Sequence, residues 1–317
     1  MHTTRLIRPI RTGEQMGGVI AGDASDRASF SYSLHGQLFS TQTKFQEAEQ
    51  NSSSGYRELL NIYNTLQVKG DILKSTSEIK IYYWLTDSKN VYYWFKSGST
   101  RENVQQLIVK IYKLMYSLKI RIVMEWMPRT SAQIQLADIG SKYLDTDDWG
   151  ICDKSLNTLQ IVAKNTFTCD VFASCTNNRF RKFYSKVAAP HSAGINAFAQ
   201  NWGQDFNFCC PPVKYITHVI QHLNRISAQG VLIVPMWQGA VFWPRLTIDG
   251  KHLLSIFFKH SIFRPVFRKG EFCDKNLFDG YKSHFEMIAL YFNSTIPSDY
   301  SKNLKNRCLA KTCDLCK

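Results

Sequence analysis

The sequence predicts an α/β protein in two parts: a five-stranded mixed sheet with helices, then a doubly wound α/β unit. Three observations predict it. Strand-length apolar runs alternate with amphipathic helical stretches through residues 15–148. A polar joint, "LDTDDWGI", then breaks the pattern. Finally, strand–helix signals restart around a Pro211-Pro212 loop. The expected organisation is an extension over 1–14, a first domain over 15–148, a second over 149–250 and a basic C-terminal extension over 251–317.

Each element has its own signal. "GGVIAGDAS" reads as a short strand, and "ASFSYSLHGQLFSTQ" as a hairpin turning at "HG". In "NSSSGYRELLNIYNTLQ" a Ser cluster can cap a helix, and Tyr56, Leu59, Leu60, Tyr63 and Leu66 recur at helical spacing. "SEIKIYYWLTD" is a strand. "STRENVQQLIVKIYKLMYSL" is a helix capped by Ser99 or Thr100, with Val104, Leu107, Ile108, Ile111, Leu114 and Met115 as its apolar stripe. "KIRIVMEWMP" is a strand stopped by Pro128, and "SAQIQLADIGSKYL" a short helix. In the second part, "LNTLQIVAK" and "KYITHVIQHLNRI" read as helices. "FTCDVFAS", "FRKFYS", "FNFCC" and "GVLIVPMW" read as strands. Beyond Lys251 the chain is basic and aromatic, and reads as extra strands plus a frayed tail.

Composition narrows the function. Hydrophobic residues at 44% suffice for real cores, and charged residues at 20% exclude a largely disordered chain. The net charge of +14 favours a polyanion partner, nucleic acid ahead of membrane surface. No apolar stretch reaches the length of a membrane span, so no membrane partner is expected. "MHTTRLIRPIRTGEQ" has no apolar core of a secretory signal. The expected location is therefore intracellular, nucleus or cytoplasm. "CLAKTCDLC" (Cys308, Cys313, Cys316) contains one CxxC, with His284 a distant fourth donor, and is read as free thiols.

Four acids stand in four elements. Asp23 lies in or just after the first strand and Glu58 in the first turns of the first helix. Asp87 ends the fourth strand, and Asp138 is near the start of the last helix of the first part. Any one of them is what a strand end or helix first turn ordinarily carries. Four on one sheet edge would repel each other unless cations neutralised them. An oxygen-only donor set suits Mg²⁺ or Mn²⁺, and two such ions can promote phosphodiester hydrolysis.

The words around these acids, "GDAS", "SSSGYREL", "TDS" and "WMPRTSAQIQLADIGSKYLD", resemble the ribonuclease H domain of retroelement reverse transcriptases. They are most similar to the tyrosine-recombinase (DIRS-like) group, over about residues 15–148. The resemblance implies a ribonuclease H-like fold, with Asp23, Glu58, Asp87 and Asp138 as metal-binding catalytic acids. It also implies endonucleolytic cleavage of RNA in an RNA–DNA hybrid. Ser25, Ser54, Ser88 and Asn90 stand beside the acids as candidate substrate contacts, since such a hybrid exposes 2′-hydroxyls in a shallow groove. They also suit caps. Tyr92, Tyr93 and Trp94 suit either stacking on nucleotides or the core. Two departures are visible: "DRASFSYS" replaces a glycine-rich hairpin, and "RTSAQIQ" carries no histidine.

"TCDVFASCTNNRF", "GINAFAQNW", "FNFCCPPVKYITHVI" and "GVLIVPMWQGAVFWPRL" resemble the domain that follows in the same retroelements, itself similar to phage-type N6-adenine methyltransferases. The resemblance implies an Asp or Asn before Pro-Pro and an aromatic after it, to hold a flipped base. Here Cys210 precedes Pro211-Pro212 and Val213 follows. Asp170, ending a first strand, is a candidate for a ribose hydroxyl. A degenerate site without S-adenosylmethionine or methyl transfer is expected. The leading expectation is thus the C-terminal part of a retroelement polyprotein, a Mg²⁺-dependent ribonuclease H without its upstream polymerase domain. The rivals are a non-catalytic nucleic-acid-binding remnant and, third, an adenine methyltransferase.

Overall fold

The structure, a computed structural model, describes residues 13–144, 149–248, 252–267 and 285–294. Most of the expected N-terminal extension, residues 145–148 of the polar joint, and Cys308, Cys313, Cys316 and His284 lie outside the described residues. The chain divides into two units between Leu144 and Asp145.

In the first unit, apolar alternation builds β1 (Glu14–Ala24), β2 (Ala28–His35) and β3 (Ser40–Lys44). The β2–β3 turn spans four residues, longer than the "HG" turn expected. A single helical turn, α1 (Glu47–Gln50), leads to α2 (Ser54–Leu73), whose Ser53 cap accepts the Tyr56 N–H. Then come β4 (Ile79–Thr86), α3 (Lys89–Ser97), α4 (Glu102–Ser117), β5 (Ile120–Trp126) and α5 (Ala132–Lys142). The sheet order is β3-β2-β1-β4-β5. β1 pairs antiparallel with β2 and parallel with β4, and β4 is parallel to β5.

α3 was not expected. Its start is written in Ser88, which accepts the Val91 N–H. Its buried face is Val91 and Phe95, one helical turn apart, and Gly98 ends it at φ 77°, where a side chain would be strained. The run of Tyr92, Tyr93 and Trp94 hid that spacing. Arg101, not Ser99 or Thr100, precedes α4 as its cap residue.

One face of this sheet packs on α2 and α4: Leu59, Ile62 and Leu66 meet Leu107, Ile108, Ile111 and Trp84. α5 covers the other face. Gly140 lies on the ring of Phe30, where an added Cβ would come within 2.3 Å of it, and Gln42 donates to the Gly140 and Tyr143 carbonyls. Close packing thus fixes α5, and with it Asp138.

The second unit holds α6 (Asp153–Ala163), β6 (Cys169–Asp170), β7 (Lys182–Ser185), β8 (Gly194–Ile195), β9 (Phe206–Cys209), α7 (Ile216–Leu223), β10 (Gln229–Pro235), α8 (Trp243–Leu246), β11 (Phe257–Phe263) and β12 (Met287–Asn293). The order is β11-β12-β10-β9-β6-β7-β8. From β8 to β10 all neighbours are parallel, while β12 runs antiparallel to both β10 and β11. β10 alternates between two cores: Val231 and Ile233 face the α6 side, and Leu232 and Val234 face α7 and α8. Beyond Lys251, Phe257–Phe263 and Met287–Asn293 supply two strands of this sheet, so these segments belong to it. The "FTCDVFAS" strand shortens to two residues. Beyond it, Ser174 bonds Asn177 and Thr176 in a local turn that competes with the ladder.

Candidate active site

The carboxyl ends of parallel strands bring the acids together. Ala21 of β1 is in register with Leu85 of β4, so Asp23 and Asp87, each two residues further on, leave neighbouring strand ends. Glu58, in the second turn of α2, leans over the same edge. One carboxylate oxygen from each of Asp23, Glu58 and Asp87 fits within 4.8 Å of the others. Asp138 is outside that tight group but lines the same cavity of about 820 Å³. The sheet edge therefore unites three of the four predicted acids closely and sets the fourth on the rim.

Electrostatics follow from this crowding. Burial, then the Asp23 and Asp87 charges, raise the Glu58 pKa well above the ordinary carboxyl range. Burial also raises Asp23, against the lowering effect of hydrogen bonds with Ser141 and Glu58. Two basic side chains lie against the acids. Arg129 Nε is 2.5 Å from Asp87 Oδ2, and Lys142 Nζ is 2.6 Å from Asp138 Oδ1. Hydrogen bonding to these acids raises the pKa of both bases. Arg129 is nevertheless 88% exposed, while Asp87 is only 6% exposed. The guanidinium therefore sits at the mouth, and the carboxylate points inward.

The all-oxygen set fits a hard divalent cation. Repulsion among three close carboxylates gives such an ion its stabilising role, and the site already gathers cationic side chains of the chain itself. Asp23, Glu58 and Asp87 would hold one ion, with Asp138 available toward a second.

A hydrogen-bond network that the sequence reading missed holds the acids. Ser141 Oγ, fully buried, donates to Asp23 Oδ2 at 2.7 Å. Ser25 Oγ donates to the Ser141 carbonyl at 2.8 Å, and Arg57 Nε donates to the Ser25 carbonyl at 2.8 Å. Arg57 also donates to the Gln50 and Ser52 carbonyls. Asn61 Nδ2 donates to the Asp23 and Phe30 carbonyls, which buttons α2 onto β1 and β2. Arg57, beside Glu58, and Ser141, one turn after Asp138, thereby join three acid-bearing elements. Both residues lie within the motif words, the signal that could have found them.

All four predicted substrate contacts line the cavity. The Ser25 hydroxyl is committed inward, to Ser141 and to its own turn, and Ser88 caps α3. Ser54 and Asn90 are exposed on the rim. Among the aromatic residues, Tyr93 is 62% exposed, whereas Tyr92 and Trp94 pack partly against the core.

In the second unit the predicted residues gather near the ends of β6 and β9. Asp170 is buried, and its Oδ2 accepts the Arg179 N–H at 3.1 Å. Cys210 is buried; the Pro211 carbonyl accepts Trp149 Nε1 at 2.9 Å. Pro212 lines a separate cavity, and Val213 opens a 3₁₀ turn packed against both cores. No helix among the described residues is long and apolar enough to cross a membrane.

No protein-family model matches the chain, and no curated protein matches it. Solved structures similar to part of it include ribonuclease H1 from Halobacterium salinarum, at 13% identity and a TM-score of 0.32, covering 40% of this chain and 94% of that one. The N-terminal RNase H domain of a Mycobacterium tuberculosis protein is similar at 14% identity and a TM-score of 0.30, covering 39% and 94%. LC11-RNase H1, solved in complex with an RNA/DNA hybrid, is similar at 10% identity and a TM-score of 0.29, covering 35% and 85%. The first unit is a five-stranded mixed sheet of order β3-β2-β1-β4-β5 with helices on both faces, the architecture of ribonuclease H-like folds.

Proposed function

We propose that the first unit hydrolyses RNA within RNA–DNA hybrids, using Mg²⁺ or Mn²⁺ held by Asp23, Glu58, Asp87 and Asp138. The observation that carries this reading is the convergence of Asp23, Glu58 and Asp87 within 4.8 Å in one open cavity. When bound, divalent cations supply charge neutralisation at the phosphate and a more acidic water. The chain's own residues do the rest. Ser141 and the Ser25–Arg57 chain keep the Asp23 carboxylate aimed into the cavity. Glu58 accepts the Ala24 N–H, and a bound cation would favour its charged form. Lys89, Arg129 and Lys142 surround the acids and favour an approaching phosphate backbone. Exposed Ser54 and Asn90 can meet 2′-hydroxyls along the groove.

The motif words support a retroelement reverse transcriptase origin. The second unit reads as a methyltransferase-like domain that has lost methyl transfer. Five parallel strands with a penultimate antiparallel strand at one edge support the ancestry. A buried thiol at Cys210 and the aliphatic Val213 argue against base capture.

Incubating the purified chain with a labelled RNA–DNA hybrid and Mg²⁺ or Mn²⁺ tests the nuclease. Cleavage of the RNA strand is expected, with Asp87→Asn reducing turnover at least about 100-fold while hybrid affinity stays within about threefold. An intact hybrid with both metals would leave the binding remnant as the better reading.

A further inference from the structure

The second unit has a cavity of about 350 Å³ where its parallel strands end. Phe172 follows β6, Tyr184 and Lys186 lie at the end of β7, Asn196 and Phe198 follow β8, and Tyr215 follows β9; all six line it. This is the place where open parallel sheets bind ligands. The strand order reverses between β6 and β9, so successive connections leave in opposite directions and open a crevice at the carboxyl ends.

The lining specifies the ligand chemistry. Aromatic rings form the walls: Phe198 stands 5.6 Å from Phe172 and 6.2 Å from Tyr215, centroid to centroid, edge to face in both cases. Such walls suit a planar ring. The charged group at the cavity is Lys186, and a second ammonium, Lys214, lies 5.4 Å from the Tyr215 ring centroid. Among the described residues, no carboxylate lines the cavity. Asp170, the acid at the end of β6, is turned into the protein and accepts the Arg179 N–H. S-adenosylmethionine carries a sulfonium and an ammonium against a single carboxylate, a net positive charge, and the described residues lining this cavity offer neither cation a counterion. An aromatic ligand bearing an anion matches both the rings and the lysines. The volume lies at the small end of ligand cavities, which run from about 300 to 1,000 Å³, and suits one nucleotide.

We infer that this cavity binds a single nucleotide, its base against Phe198 and Tyr215 and its phosphate toward Lys186. The inference is independent of the carboxylate site in the first unit. The same chemistry has two sources, a free nucleoside monophosphate or the 5′-phosphorylated end of a single strand.

Calorimetry on the full chain tests it, with AMP, adenosine, S-adenosylmethionine and a 5′-phosphorylated hexadeoxynucleotide as titrants. AMP or the hexanucleotide should bind saturably. Adenosine should bind at least about tenfold more weakly than AMP, and Lys186→Glu should weaken the phosphorylated ligand about tenfold. Lys186 is exposed, so that variant retains the core, and Phe198→Ala should give a loss of similar size. AMP binding as tightly as the hexanucleotide identifies a free nucleotide; binding of the hexanucleotide alone identifies a strand end. Three results would each overturn the inference: no binding of either, affinity unchanged by Lys186→Glu, or S-adenosylmethionine binding more tightly than AMP.

Discussion

Glu58 is buried beside Asp23 and Asp87, and both burial and those charges favour its protonated form. Its pKa is higher folded than unfolded, so the metal-free folded state holds this proton more tightly. The resulting stability is fully present below the ordinary carboxyl range, ~pH 4, and is lost as pH rises through the raised value. Glu58→Gln removes that loss. Thermal melts should show the metal-free variant above the parent by about 2–4 °C near neutral pH, with little difference in acid. Mg²⁺ should raise the parent's Tm and leave the variant's nearly unmoved. Ser141 works in the opposite sense, since its hydroxyl donates to the Asp23 carboxylate from a fully buried position. Ser141→Ala should cost about 1–3 kcal/mol in denaturant unfolding. It should also raise the cation concentration needed for half-maximal cleavage, which a purely structural loss would not do. Asp23 and Asp87 stand out in the sequence where strands end, and Glu58 and Asp138 within helices. Arg57 and Asn61 do not, because they donate to backbone carbonyls, and any residue supplies a carbonyl; nor does Ser141, whose carboxylate partner lies 118 residues away in the chain.

α5 shows how an element delivers a side chain. Gly140 lets the helix settle onto Phe30, and Gln42 ties its last carbonyls. Gly140→Ala would drive a methyl into that ring, at a cost of about 1–3 kcal/mol. Because Asp138 and Ser141 flank this contact, cleavage should fall more than the stability loss alone accounts for, as kinetics below the melting range would reveal. The helices with a clear apolar stripe, α2 and α4, could be read from spacing. α3 could not, because three consecutive aromatic residues mask the Val91–Phe95 period. β6 keeps only two residues of the strand expected over "FTCDVFAS", and β8 is two residues long, too short to leave a periodic signal.

At the scale of the molecule, both proposed sites lie at the carboxyl ends of parallel strands. The restart of strand–helix alternation marks a second sheet in the sequence, and the chain divides between Leu144 and Asp145. The membership of β11 and β12 in that sheet is not marked. Antiparallel return strands pair at long sequence separation, so the stretch read as extra strands without showing which sheet they join. The net charge of +14 coexists with a cluster of acids whose repulsion a divalent ion would relieve. Diffraction from crystals soaked in Mn²⁺, with anomalous maps, tests this most directly. The account predicts a strong peak among the Asp23, Glu58 and Asp87 carboxylates and a second toward Asp138 when substrate is present. A map with no peak among those carboxylates at saturating Mn²⁺ would contradict it.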